Sequence, residues 1–169
     1  MRFDETRKGS RARVAANGVK CSGTDGKWTA CCTVPIDRGS TDIALRLKLT
    51  ELRSSVATVG MVAPSADLDT TLGYQAESVG LWSGGYICTN GKGQDGTRSF
   101  DVGDDLLLRV LAGSLTLIVC VNGEEVHRWV VQAGWHLAVG GGYYSSSMAA
   151  FEIVDAVSAP RENTRASLN

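Results

Sequence analysis

In the stretch TDIALRLKLT (41–50), Ile43, Leu45, Leu47 and Leu49 fall on every second position, with Ala44, Arg46 and Lys48 between them. A period of two marks a strand with one dry and one wet face, whereas a helix would scatter the same leucines around its circumference. Burying each large apolar side chain contributes roughly 1.5–3 kcal/mol, so the four together decide which face points inward. The same grammar recurs in WTACCTV (28–34), SVATVGMVA (55–63) and VGLWSGGYICT (79–89). It continues in DLLLRVLAG and SLTLIVCVNG around Gly113, then in EEVHRWVV (124–131), WHLAVGGG (135–142) and MAAFEIVD (148–155). Asn-Gly occurs at Asn17–Gly18, Asn90–Gly91 and Asn122–Gly123. That dipeptide adopts the positive φ angles of type I′ hairpin turns at little cost, so the third should fold one strand directly back on the next. No segment longer than one turn carries helical periodicity. About ten short strands with turn signals between them predict an all-β, antiparallel β-sandwich with no substantial helix.

Composition fits one domain. The 169 residues suffice to bury roughly 68–70% of the unfolded surface without a disulfide or metal staple. Residues 1–157 are predicted to form it, and SAPRENTRASLN (158–169), poor in apolar residues, to be a disordered tail or linker. With 17 basic and 18 acidic residues, the net charge of −1 gives no general pull toward nucleic acid or an anionic membrane. The basic N-terminal residues Arg2, Lys8, Arg11 and Arg13 suit a solvated terminal strand, with an anion-binding arm as the other reading. The apolar run Leu106–Val121 is interrupted by Arg109, Gly113, Ser114 and Thr116. It falls short of the ~20 apolar residues of a spanning helix. No apolar h-region follows the N-terminus, so the protein is expected to be soluble and intracellular, most simply cytoplasmic.

Each candidate for chemistry meets a structural objection. GKGQDG (91–96) satisfies G-x-G-x-x-G, but the dinucleotide fingerprint needs a helix to begin there, and no helical pattern follows. The stretch is therefore expected to be a flexible loop. Cys21, Cys31, Cys32, Cys88 and Cys120 are odd in number and lack C-x-x-C spacing, so free buried thiols are expected. Cys31–Cys32 with the distant His127 and His136 makes a weak zinc set. Residues of a Ser-His-Asp or Cys-His site meet in space rather than in order, but no nucleophile elbow and no H-E-x-x-H is present. Asp104 and Asp105 are adjacent, so on a strand they point to opposite faces and cannot pair as glycosidase carboxylates or hold calcium without further ligands. They are read instead as solvating the start of a buried strand and discouraging edge-to-edge pairing. No catalytic residue, metal or cofactor is assigned.

The order of features resembles the SPRY domain family over about residues 3 to 155. Val59-Gly60-Met61 resembles its V-G-[VI] strand, and Gly85-Tyr86 through Asn90-Gly91 its glycine-rich stretch. Phe100, Gly103, Asp104 and Leu106 to Val110 match the "GD" strand; Leu115, Leu117, Val119, Asn122 and Gly123 match the "NG" hairpin. Cys120-Val121 and Ala112 depart from the family pattern, so the chain is similar to a divergent member. The resemblance implies a sandwich of two curved sheets and a non-catalytic protein-protein interaction module. Such a module would bind a peptide or partner surface through loops at one end. Interface anchors favour Tyr, Trp and Arg. The candidates are Trp82, Tyr86 and Arg98 around the glycine-rich loop, Tyr74 after PSADLDTT, and Tyr143 and Tyr144 in GGGYYSSS. Trp82 and Tyr86 share alternation parity, which leaves core and surface both open, while consecutive Tyr143 and Tyr144 imply that one faces outward. Trp28, Trp129 and Trp135 are expected in the core. The alternatives are a carbohydrate-binding, lectin-like sandwich and a structural part of a larger assembly.

Overall fold

The structure is a computed structural model that describes residues 1–23, 29–35, 41–53, 56–95, 98–142 and 148–159. Among them there is no helix and there are thirteen strands. These are β1 (Ala12–Val14), β2 (Lys20–Gly23), β3 (Thr29–Pro35), β4 (Asp42–Arg53), β5 (Ala57–Val62), β6 (Ser78–Trp82), β7 (Ile87–Thr89) and β8 (Lys92–Gln94). After them come β9 (Asp105–Leu111), β10 (Thr116–Val121), β11 (Glu124–Val130), β12 (His136–Gly141) and β13 (Met148–Ala159). They form two antiparallel sheets, one of seven strands in the order β1-β2-β13-β4-β9-β10-β11 and one of six in the order β3-β12-β5-β6-β7-β8.

The alternation predicted for β4 sets the core. Leu45, Leu47 and Leu49 are buried while Arg46, Lys48 and Thr50 are exposed. The register Leu45↔Leu108 and Leu47↔Leu106 places β9 on the same inner face. Leu117, Val119 and Val121 of β10 continue it, and Val59, Met61, Val79 and Leu81 answer from the six-stranded sheet. Trp129 and Trp135 join this core as expected, and Trp28 lies outside the described residues. Trp129 also ties the sheets together, its Nε1–H donating to Thr89 Oγ1 at 2.8 Å.

A smaller apolar layer covers the outer face of the six-stranded sheet. Leu68 and Leu72, in the segment joining β5 to β6, pack on Ala30, Cys32, Val62 and Ala138. Ala30 N–H donates to Leu68 O at 2.8 Å, and Gln75 closes the segment on itself through Asp67 N–H and Asp67 O. The cover lies close because Gly80 leaves the sheet bare beneath Leu72 and because the cover's own Gly73 sits against β7. A Cβ on Gly80 would come within 2.8 Å of Leu72 O, and one on Gly73 within 2.4 Å of Cys88 Cβ.

Several expectations change. The stretch 79–89 is not one strand: β6 and β7 are a hairpin, turned by Ser83–Gly85 with Gly85 at φ 84°. The GKGQDG stretch expected as a flexible loop contributes β8, folded back on β7 by Asn90 (φ 49°) and Gly91 (φ 82°). Asn122 (φ 51°) and Gly123 (φ 82°) make the other such turn, whereas at the first Asn-Gly only Gly18 takes positive φ. Asp104 and Asp105 guard no edge, because β9 lies inside its sheet between β4 and β10. β13 carries Ser158 and Ala159 into register with Ile43 and Asp42, and residues 160–169 fall outside the described set.

Candidate functional site

Three of the six residues singled out in the sequence come together. Trp82 ends β6 and Tyr86 precedes β7, so the hairpin turn sets them side by side, with Trp82 N–H donating to Tyr86 O at 2.8 Å. Their ring centroids are 5.4 Å apart at 53°. On its other side Trp82 meets Tyr74, at 5.6 Å and 31°. Both distances lie in the range of favourable tilted aromatic contacts. The three rings form one strip on the outer face of the six-stranded sheet, beside the β5–β6 cover. The indole of Trp82 is anchored there, its Nε1–H donating to Leu72 O at 3.3 Å.

Exposure grades along the strip. Trp82 and Tyr86 are half-buried, while Tyr74 is 54% exposed. Desolvation pushes the Tyr86 phenol pKa up, with the Tyr74 phenol and nearby Cys88 adding to it. A residue absent from the sequence-based candidates makes this seat possible. A Cβ on Gly93 of β8 would sit 2.3 Å from Tyr86 Cε1, so the ring occupies the space above a bare backbone. Only the β7–β8 pairing Cys88↔Gly93 reveals this; no pattern along the chain links Gly93 to Tyr86.

Arg98 belongs elsewhere. Its guanidinium is ion-paired with Glu124, beside the Asn122–Gly123 turn. There the Asp104 carboxylate accepts from Asn122 Nδ2 and from Asp101 N–H, each at 2.8 Å. Asn122 Oδ1 accepts from Asp105 N–H at 2.9 Å. The Asn122 side-chain bond, then the Asp101 backbone bond, hold the Asp104 carboxyl below its ordinary pKa, with Arg98 adding attraction. Asp105 instead approaches Arg46 Nε at 3.4 Å. The two carboxylates thus stitch the start of β9 to the β10–β11 turn and to β4. Tyr143 and Tyr144 lie outside the described residues.

Reactive groups are scattered through the interior. Cys21, Cys31, Cys32, Cys88 and Cys120 are free and buried. Burial raises the Cys32 thiol to about 12 and the Cys88 thiol to about 11, which suppresses the nucleophilic thiolate. His136 is buried, its Nδ1 2.7 Å from Thr33 O. His127, on the opposite sheet, stands edge-on to Trp129 at a centroid distance of 4.5 Å. Among the described residues no three His, Cys, Asp or Glu side chains group as metal ligands. Nor is any helix there long and apolar enough to cross a membrane.

No family model matches the chain, and no curated protein matches it in sequence. Solved structures do. The SPRY domain of human HERC1 superposes with a TM-score of 0.72 at 18% identity, over 90% of this chain and 97% of that one. A human SPRY domain gives 0.63 at 20% identity, over 86% and 97%. The TRIM65 PSpry domain gives 0.63 at 11% identity, over 91% of each chain. At such identities the likeness establishes the fold: the chain is a β-sandwich with the SPRY fold.

Proposed function

We propose that this SPRY-fold domain is a non-catalytic protein-recognition module that takes a peptide or partner surface on the Tyr74–Trp82–Tyr86 strip. The observation that carries the reading is the strip itself. Three contiguous rings lie on the outer face of a sheet, and Tyr74 keeps half its surface in water. Tyr and Trp concentrate binding energy because they bury much area with few torsions and carry a polar edge. The sheet beneath holds them rigid: Trp82 is pinned by Leu72 O and Tyr86 by the contour of Gly93. Preorganised rings lose little entropy on binding.

The partner envisaged is a protein or peptide; nucleic acid is disfavoured by the balanced charge, and no cofactor is invoked. Affinity capture from native extract, with the wild-type chain and the Tyr74→Ala and Trp82→Ala variants as bait, tests the reading. Capture of defined proteins by wild type, reduced at least ten-fold by either variant at unchanged thermal stability for Tyr74→Ala, is the expected result. Capture unaffected by both variants would refute the strip as the site. Elution by free sugars would instead favour the lectin-like alternative.

A further inference from the structure

The six-stranded sheet treats its two edges differently. Along β3 the chain's own N-terminal segment completes the edge. Asp4 N–H donates to Cys32 O at 2.8 Å, Cys32 N–H to Arg7 O at 2.9 Å, and Gly9 N–H to Ala30 O at 2.8 Å. Along β8, by contrast, Lys92, Gly93 and Gln94 are all exposed. Thr89 and Lys92 flank the Asn90–Gly91 turn, so they form a hydrogen-bonded pair, and Cys88↔Gly93 is the next, non-bonded pair. The N–H and C=O of Gly93 therefore point away from β7, toward the open edge. Among the described residues no backbone group outside the β7–β8 ladder bonds to either.

Resting on the recognition reading above, we propose that β8 is a docking edge for an extended segment of a partner protein. That segment adds antiparallel to Lys92–Gln94, with a large aromatic or aliphatic residue opposite Gly93 and an acidic residue opposite Lys92. Main-chain bonds supply the attachment, and alternating side chains supply the choice of ligand. The partner residue opposite Gly93 exchanges both backbone bonds with it and shares its outer face. There Gly93 offers no side chain and the Tyr86 ring covers the gap, so an apolar side chain lands on Tyr86, itself stacked on Trp82. The partner's next residue faces the opposite side, next to the Lys92 ammonium, where a carboxylate is the complementary charge. A second copy of this chain is a poorer occupant. Pairing two three-residue strands buries far less than the ~800 Å² per partner of a standard interface.

The test is an NMR titration of the ¹⁵N-labelled full chain with the capped peptide Thr-Val-Phe-Glu-Thr. Two controls accompany it: the same peptide with Lys for Glu, and the same peptide N-methylated at Phe, which removes the donor to Gly93 O. The expected result is saturable shifts centred on Lys92–Gln94 and Tyr86, at least ten-fold weaker with either control. Lys92→Glu should reverse the preference between the Glu and Lys peptides. No saturable shift, equal binding of the N-methylated peptide, or shifts confined to Tyr74 and Trp82 would each overturn strand addition. The last outcome leaves the aromatic strip standing as a recognition surface. Loss of the strip would show separately, as partner capture indifferent to Tyr74→Ala and Trp82→Ala.

Discussion

Asn122 does two jobs that one side chain seldom combines. Its backbone takes the left-handed conformation of the β10–β11 turn (φ 51°), and its amide binds both Asp104 and the Asp105 N–H. Asn122→Ala removes the bond to a charged acceptor and strains the turn, so a loss of about 1–3 kcal/mol is expected in urea unfolding. The sign of the pH effect follows from Asp104. Its folded pKa is depressed, so its contribution is complete above the ordinary carboxylate pKa and is lost as pH falls through the depressed value. Asn122→Ala should flatten that acid limb below about pH 4. His127 also loses stability on acidification, in a different window. Burial lowers its pKa, partly offset by Glu125, so the folded state favours neutral imidazole. Stability is then lost as pH falls below about 6.5, the unfolded value. His127→Phe should narrow the difference in Tm between pH 7.5 and 5. None of these roles follows from residue type alone. The adjacent aspartates were legible as structural, but their partners became visible only once β9, β10 and the turn were in register.

In β4 the inner face was written in the alternation, whereas β5 is buried on both faces, and glycines decide how closely neighbouring strands approach. Gly60 pairs with Gly80 across β5 and β6, and a Cβ on Gly60 would lie 1.9 Å from Val79 O. Backbone cannot yield as a side-chain tip can, so Gly60→Ala should cost about 2–3 kcal/mol. A lowered midpoint of urea unfolding at unchanged slope would report it. Leu115 shows the converse. It holds φ 50°, a region that disfavours branched bulky residues, yet it is buried and its carbonyl accepts from Val131 N–H at 2.8 Å. Packing overrides the local preference there. The β6–β7 hairpin was misread as one strand because Trp82 and Tyr86 keep the alternation across a turn made of serine and glycine. β8 was missed because three exposed residues leave no apolar pattern to read.

Across the whole molecule, the cysteines report how tightly the sandwich closes. Burial raises the Cys21, Cys32 and Cys88 thiols in pKa. An aromatic disulfide reagent at pH 8 should therefore label these three only as fast as the domain opens, and all five cysteines promptly in guanidinium. Fast labelling of Cys32 in the native state would contradict the packed outer layer. What the amino-acid sequence determined by itself was local. It set the strand character of most segments, the inward side of β4 and the Asn122–Gly123 hairpin turn, because side-chain period and turn dihedrals depend only on near neighbours. What tertiary structure decided was the meeting of distant segments. β13 enters between β2 and β4, and β12 between β3 and β5. The strip of Tyr74, Trp82 and Tyr86 forms, Arg98 turns away to Glu124, and Gly93 becomes the floor under a tyrosine ring. These outcomes depend on which strands pair and in which register. Hydrogen-bond ladders between residues far apart in the chain set that pairing, and no short-range pattern encodes it.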